Sequence, residues 1–265
     1  MSEVIRCHNI TFRDETQAVV ADVDLTVQLG TTVAIMGASG SGKSVLLKLM
    51  AGVLTPDNGR VEIAGWHAAS LNGAAMAKLQ MHSGFVFQDS ALWQNLTAQA
   101  NLTLASRYHY GAKAEAEALL RAKRLCRKLD FDVDLSRRPT SFSAGARKVL
   151  ANIRALLQDP AIVFLDDPRS GVDTERSERL LELYRELKRA GKTLIFAGSD
   201  PEIVSQLADR VVILDAGRII ADATLSELTR TEDQRVRRVL SAVLDESASY
   251  DGDILAMLQG EIDEE

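Results

Sequence analysis

The sequence predicts an α/β protein built on a mainly parallel sheet, and two observations support this fold class. A glycine-rich stretch at residues 37–44 follows the short apolar run 32–36 and precedes residues 45–51, whose apolar spacing is helical. Further apolar runs alternate along the chain with segments of helical pattern, and they occupy residues 161–165, 192–198 and 210–214. Continuous apolar runs of this length are typical of strands that are covered on both faces, as in a parallel sheet.

Ahead of the glycine-rich stretch the pattern predicts strands of another kind. Residues 4–7, 19–20 and 23–27 alternate apolar with polar side chains, which is typical of an antiparallel layer with one face in water. Residues 59–65 continue this pattern after the turn Pro56–Gly59. The sequence therefore predicts an antiparallel β subdomain beside the parallel sheet.

Helical patterns dominate the middle of the chain. Residues 95–158 are mostly helical in pattern, and strong helix formers are concentrated at residues 112–129. This stretch predicts a helical subdomain at about residues 91–158. A further helix over residues 174–189 would join two of the buried strands.

The end of the chain changes character after residue 230. An amphipathic helix is predicted from apolar residues at helical spacing, namely Val236, Val239, Leu240, Val243 and Leu244. Residues 245–265 then carry eight acidic and no basic residues. Two interpretations stay open for residues 231–265: a solvated end, or a segment that docks its apolar stripe on a partner.

Composition narrows the classes of function. The 265 residues are 46% apolar, with a net charge of −6 and a pI near 5.4, which argues against a surface that binds nucleic acid over the whole molecule. Cys7 and Cys126 lack metal-ligand spacing, so we interpret both as small buried hydrophobes in a protein of the reducing cytosol. No signal peptide or membrane span is predicted from the sequence, so we expect any membrane role to depend on a partner.

The glycine-rich stretch fits the P-loop pattern G-x-x-x-x-G-K-[ST]. Its residues are Gly37, Ala38, Ser39, Gly40, Ser41, Gly42, Lys43 and Ser44, with Val45 next in the helix. Backbone N–H groups of such a loop surround phosphate oxygens, the lysine adds a positive charge, and the serine hydroxyl suits Mg²⁺. The setting between strand and helix predicts a nucleotide triphosphate site.

Further motifs follow the P-loop in a fixed order. They are Phe85–Gln88, Phe142–Ala146, Ile162–Pro168, Ser170–Asp173 and Ala197–Asp200. As an ordered set, they resemble the Walker A, Q-loop, signature, Walker B, D-loop and H-loop segments of the nucleotide-binding domain of ABC transporters. The resemblance covers roughly residues 4–225. It implies a P-loop NTPase core of the RecA-like type, with residues 1–230 as the ABC ATPase domain and residues 231–265 as a C-terminal helical and acidic extension.

The resemblance also implies roles for particular residues. ATP and Mg²⁺ would be bound by the P-loop, with Ser44, Gln88 and Asp166 around the metal. Lys43, Gln88 and Asp167 would be catalytic. The other residues of the set act between subunits: Ser143 and Gly145 would close over the nucleotide of the other protomer in a homodimer or heterodimer, and Asp173 would link the two sites.

Short matches resemble one subgroup, the ATPases of Mla-type, Mce-associated phospholipid transporters. They are Val45 in place of the usual Thr or Ser, the segment Phe87–Leu92, and the segment Asp233–Leu240. The likeness implies phospholipid transport through a separate integral membrane permease, at the cytoplasmic face of the inner membrane. In that subgroup the C-terminal extension packs on the dimer partner.

Four departures from the family pattern affect the expected chemistry. Asp167 stands where the catalytic glutamate is usual, and withdrawing a carboxylate by about an ångström can slow a reaction about 100-fold. Ser199 replaces the switch histidine, and loss of one preorganised donor costs about 10²–10³ in rate. Ala144 stands at a signature glycine. No Tyr or Trp lies near Asp14, where an adenine-stacking residue is usual.

We therefore expect intact nucleotide binding and reduced hydrolysis. An alternative from another class is a regulatory or scaffold subunit that binds nucleotide without turnover. A soluble ABC protein of DNA repair or translation is disfavoured, since tandem domains, long coiled coils and basic inserts are missing. A small-molecule kinase would not explain the motifs from Ser143 to Asp173.

Overall fold

The computed structural model describes residues 2–15, 17–68, 79 and 81–248, and the side chains as far as residue 242. A mainly parallel sheet lies at its centre, with strand order β10-β9-β3-β8-β7-β6. These strands are β3 (Thr32–Met36), β6 (Ser83–Val86), β7 (Ile162–Asp166), β8 (Thr193–Ala197), β9 (Arg210–Asp215) and β10 (Arg218–Ala223). Among the described strands of this sheet, only β10 runs antiparallel. The predicted α/β fold class is confirmed.

A second, antiparallel sheet has the order β2-β1-β4-β5. Its strands are β1 (Glu3–Asp14), β2 (Gln17–Gln28), β4 (Asn58–Ile63) and β5 (Trp66–His67). The runs predicted at residues 19–20 and 23–27 belong to the single strand β2, because Asp22 at φ 50° takes up an irregularity in the pairing with β1. One apolar core joins this sheet to α1 (Lys43–Met50) and to β3.

The described helices cover the faces of the parallel sheet and form a helical layer beside it. They are α1, α2 (Ala98–Lys128), α3 (Ala144–Leu156), α4 (Thr174–Arg189), α5 (Pro201–Leu207), α6 (Leu225–Thr229) and α7 (Gln234–Ala248). Gly111 interrupts α2 with φ 79° and ψ −170°, so the helix predicted from residue 112 is the second half of a longer one. Within the described residues, no helix combines the length and apolar character that crossing a membrane requires.

The C-terminal helix α7 packs on the body of its own chain. Val236 is 2% exposed and Leu240 is 5% exposed, in a cluster with Met36, Ile213 and Leu228. This part of the apolar stripe therefore belongs to the core of its own chain, an arrangement that neither of the two open interpretations described. The acidic residues predicted to fray or dock lie largely outside the described residues.

The two cysteines are free and buried, which confirms their interpretation as small hydrophobes. Burial raises the pKa of the Cys7 thiol to about 12, so the unreactive thiol form dominates at neutral pH.

Candidate functional site

The glycine-rich loop turns from the carboxyl end of β3 into α1, and its backbone conformation depends on glycine. Gly42 precedes α1 with φ 100°, a value that L side chains rarely adopt. A Cβ at Gly42 would also overlap the carbonyl oxygen of Val19. Both constraints fix the loop against β2 and leave the first N–H groups of α1 directed at the loop.

The Lys43 side chain folds back over this loop. Its Nζ donates to the carbonyl oxygens of Gly37 at 2.7 Å and Ala38 at 2.9 Å. An ammonium group has three N–H donors, so one stays available for an anion inside the loop. Burial lowers the pKa of Lys43, although the negative charges of Asp167 and Asp166 oppose that shift.

Ser44 and Asp166 meet beneath the loop. The Ser44 hydroxyl donates to Asp166 Oδ1 at 2.8 Å, whereas the buried Asp166 Oδ2 has no hydrogen-bond partner in the described part of the chain. Burial raises the pKa of Asp166; the Ser44 hydrogen bond opposes this rise and the like charge of Asp167 adds to it. An orphaned carboxylate oxygen beside a hydroxyl fits Mg²⁺, which is usually held by one or two carboxylates, water and phosphates.

The described residues contain no cluster of three or more His, Cys, Asp or Glu that could hold a metal ion. A magnesium ion here would therefore depend on phosphate oxygens for part of its coordination, as is usual in nucleotide sites.

Asp167 follows the end of β7 in an unusual conformation. Its φ is 43°, in the left-handed region that costs energy for a residue with a side chain. Gln88 Nε2 lies 3.3 Å from Asp167 Oδ2, so the amide and carboxylate face a common space. Burial raises the pKa of Asp167, and the positive charges of Lys43 and Lys148 oppose the rise.

Ser199 follows β8, the strand next to β7, and lines the same cavity as Asp167. Gly198, with φ 153°, lies so close to Asp167 that a Cβ there would overlap Asp167 Oδ1. Beyond it, Arg169 bonds Asp200 through Nε at 2.6 Å and Nη2 at 2.7 Å. This bidentate pair ties the segment after Asp167 to the segment after Ser199.

Sequence reasoning missed a buried lysine that supports the Q-loop. Lys148, 3% exposed on α3, donates to the carbonyl oxygens of Gln88 at 2.6 Å and Phe87 at 3.2 Å. Arg154, one and a half turns later, donates to the carbonyl oxygens of Ser90 and Ala91. The helix after the signature segment therefore holds the backbone around Gln88. The one indication of this contact in the sequence is a basic residue, Lys148, on the apolar face of that helix.

The remaining predicted residues lie outside the cavity at the loop. Ser143 is exposed and begins α3, where its Oγ accepts from the N–H of Ala146 at 3.1 Å. Gly145, the second residue of α3, packs so closely on the carbonyl oxygen of Gly171 that no Cβ would fit. Asp173 begins α4 and accepts from the N–H of Arg176 at 3.1 Å, so it has at least a capping role.

A cavity of about 810 Å³ joins most of the predicted site residues. It is lined by Gly37, Ala38, Ser39, Gly40, Gly42, Lys43, Ser44, Val45, Gln88 and Asp167. Ser41 is buried within the loop, and Asp166 lies below the floor through its bond to Ser44. Sequence reasoning did not place α7 here, yet Arg235, Arg238, Val239 and Ala242 complete the wall.

A glycine loop between a buried strand and a helix, with an aspartate beneath it from β7, two strands along the same sheet, defines a P-loop nucleotide-binding protein. Residues 20–170 match the family model described as ABC transporter, so this chain belongs to the ABC transporter family, as an ATP-binding domain.

Curated relatives agree with this assignment. The lipoprotein-releasing system ATP-binding protein LolD of Cytophaga hutchinsonii is 33% identical over 83% of this chain and its own full length. The macrolide export ATP-binding/permease protein MacB of Bradyrhizobium diazoefficiens is 34% identical over 82% of this chain, but the match spans only 33% of MacB. This chain therefore corresponds to about a third of such MacB relatives. Neither comparison singles out Mla-type phospholipid transporters.

Solved structures give the same fold. The dimeric structure of a bacterial ABC transporter cassette has a TM-score of 0.77 and 28% identity, covering 83% of this chain and 98% of that one. A dimeric post-hydrolysis state of an ATP-binding cassette, bound to ADP and Pi, has a TM-score of 0.75 and 25% identity over the same shares.

Proposed function

We propose that this chain is a transporter subunit that couples ATP binding, followed by slow hydrolysis, to movement of a lipid substrate through a separate permease. The observation that carries the proposal is the single cavity shared by the glycine loop, Lys43, Gln88 and Asp167. Phosphate-binding groups and groups able to orient water therefore face the same space, as phosphoryl transfer requires.

Each group has a defined task in this proposal. The loop N–H groups and Lys43 would bind the triphosphate, while Ser44 and Asp166 would hold Mg²⁺ together with Gln88. Magnesium neutralises charge on the phosphates when bound. Asp167 accepts a proton from the attacking water, and Gln88, 3.3 Å from it, orients that water. A general base must lie within hydrogen-bond reach of the proton that it removes. Because the side chain of Asp167 is one methylene shorter than the usual glutamate, we propose that its distance from the attacking water limits the rate.

The proposed transporter contains a second nucleotide-binding subunit, either identical or homologous to this chain. Ser143 is exposed and lies outside the chain's own cavity, which suits a role on the nucleotide of the other protomer. The dimeric solved cassettes support this arrangement. With its permease, the pair would work at the cytoplasmic face of the inner membrane, without nucleic acid as a partner.

The substrate class is the most specific part of the proposal. LolD is named for lipoprotein release and MacB for macrolide export, and the short matches around Val45 and Gln88 resemble phospholipid transporters. Lipid-linked molecules are common to two of these three. We therefore propose a lipid substrate, with phospholipid as its first choice.

A reconstitution experiment tests the proposal. The chain and the permease that co-purifies with it would be placed in proteoliposomes, and phosphate release and phospholipid transfer would be measured with ATP and Mg²⁺. We expect vanadate-sensitive turnover that is lost in Lys43→Ala and kept in Lys123→Ala, an exposed lysine on α2. Turnover equal to that of Lys43→Ala would reject the enzyme. Transfer of lipoprotein or macrolide without phospholipid transfer would reject the first choice of substrate.

A non-hydrolysing regulatory subunit is the second candidate, and Asp167 and Ser199 favour it because both departures lie at the reacting end of the cavity. In that case ATP would drive dimerisation without phosphate release. Size measurement with ATP, compared with a non-hydrolysable analogue, separates the candidates: a dimer that persists with ATP and releases no phosphate supports the regulator.

A further inference from the structure

The C-terminal helix α7 presents two faces at once. Val236 and Leu240 are buried in the core, whereas Arg235, Val239 and Ala242 line the cavity above the glycine loop. The second set has the spacing i, i+4, i+7 and so lies on one side of the helix. The core contacts fix the position of the helix, so the cavity wall that it supplies is rigid rather than incidental.

The wall is aliphatic where a nucleotide base would need an apolar surface. Val239 and Ala242 lie on α7, and Val19 of β2 belongs to the same cavity. The described residues that line the cavity include no aromatic side chain, in agreement with the missing stacking residue near Asp14. A flat base can still be desolvated between aliphatic side chains, although without the additional stabilisation of aromatic stacking.

The two arginines of α7 that line the cavity differ in whether they have an acidic partner. Arg235 is paired with Asp233, its Nη2 lying 3.0 Å from Oδ2, and Asp215 is a second acidic neighbour in the cavity. Arg238 also lines the cavity, but it makes no ion pair or hydrogen bond within the described part of the chain. A guanidinium without a partner, facing a loop that binds anions, is suited to phosphate oxygens.

We propose that α7 is a nucleotide-binding wall supplied by the same chain. Val239 and Ala242 pack on the base opposite Val19, and Arg238 donates to phosphate oxygens of a nucleoside triphosphate. This inference rests on the proposed nucleotide site at the glycine loop. Val239, Ala242 and Val19 carry no group that reads a base edge, and Arg235 is paired with Asp233. The site therefore selects a triphosphate with a base, and it discriminates weakly between adenine and guanine.

Equilibrium binding to the full chain tests the inference, with ATP, GTP and inorganic tripolyphosphate as separate probes. Arg238→Ala should weaken ATP and tripolyphosphate about tenfold, as expected for loss of a charged hydrogen bond. Arg237→Ala is the matched control, since Arg237 lies on the same helix but donates to the carbonyl oxygen of Thr231 and does not line the cavity. Equal weakening in both variants would reveal a general charge effect and overturn the role of Arg238.

A gain of binding tests the base wall without endangering the fold, because Ala242 is exposed. Ala242→Trp adds a stacking surface and should tighten ATP about fivefold while leaving tripolyphosphate unchanged. Unchanged ATP affinity, or more than about 20-fold preference for ATP over GTP in the unmodified chain, would overturn the base wall.

Binding data distinguish failure of the α7 wall from failure of the proposed nucleotide site. If the unmodified chain binds none of the three probes, the proposed function fails. If it binds ATP in a manner that depends on Lys43 but not on Arg238 or residue 242, only the inference about α7 fails.

Discussion

The glycine loop and the ends of β7 and β8 face each other across one cavity, but they are built differently. Loop geometry is set by the backbone, with Gly42 at φ 100° and Lys43 bonded to two loop carbonyls. The end that we propose carries the reaction depends on side chains: Asp167 is held at φ 43° and meets Gln88 through one 3.3 Å contact. A substitution near Asp167 should therefore change turnover without changing ATP affinity at the glycine loop. The following experiments test that separation.

Lys43→Ala should give the largest effect, because it removes the ammonium that we propose binds the phosphates. We expect ATP affinity to fall about 100-fold and turnover at least about 10³-fold. Isothermal titration with ATP and a phosphate-release assay provide the two values, and Lys123→Ala should match the unmodified chain in both. Retained ATP affinity would show that the backbone of the loop binds phosphates without the lysine.

Gly198→Ala should separate the two regions. Its Cβ would overlap Asp167 Oδ1, so the carboxylate must move, and misplacement of that order costs about 100-fold in turnover. ATP affinity should stay within about twofold, since the loop is untouched. Gly191→Ala is the control: its φ of 74° is also positive, so the substitution is strained there too, but no atom lies within 4 Å of the added methyl. A parallel loss of ATP affinity in Gly198→Ala would disprove the separation.

Asp167→Glu combined with Ser199→His should raise turnover, because it restores reach to the base and adds an imidazole donor. We expect an increase of about tenfold or more without a change in ATP affinity. Ser199→Ala alone should change turnover by less than about twofold, since a serine hydroxyl is too short to act as the missing donor. Unchanged turnover in the double variant would mean that the unmodified geometry at Asp167 is not limiting.

The same contrast explains what the sequence could predict. The glycine loop, the buried strands and the order of motifs are local patterns, and the strand predictions at residues 161–165 and 210–214 agree with β7 and β9. Two features depend on contacts between distant segments and could not be predicted in this way. They are the hydrogen bond from Lys148 to the Gln88 carbonyl and the position of α7 above the loop. The amphipathic pattern of α7 indicates an apolar face, but it does not identify the surface that covers this face.

The left-handed backbone conformation of Asp167 cannot be predicted from the sequence, for a different reason. Aspartate is more tolerant of that region than most residues, but its type alone does not predict the conformation. Contact with Gly198 constrains the segment on one side, and the ion pair Arg169–Asp200 constrains it on the other.

Asp167→Asn should have the smallest effect, and it concerns stability in the absence of nucleotide. Burial raises the folded-state pKa of Asp167, so at pH values above the ordinary carboxyl pKa this group destabilises the folded state relative to the unfolded state. The neutral asparagine removes that cost, and we expect thermal denaturation at pH 7.5 to shift upward by about 1–3 °C. As pH falls through the raised pKa, the unmodified chain gains a proton in the folded state and the difference should shrink.

Asp173→Asn provides a control of opposite sign. A hydrogen bond from the N–H of Arg176 lowers the pKa of Asp173, so its charge stabilises the folded state at pH 7.5. Removing that charge should lower the melting temperature, and this deficit should also shrink as pH falls, because the unmodified chain loses its advantage through the depressed pKa. If both variants shift the melting temperature in the same direction at pH 7.5, the contrast between a strained reacting carboxylate and a satisfied structural one is wrong.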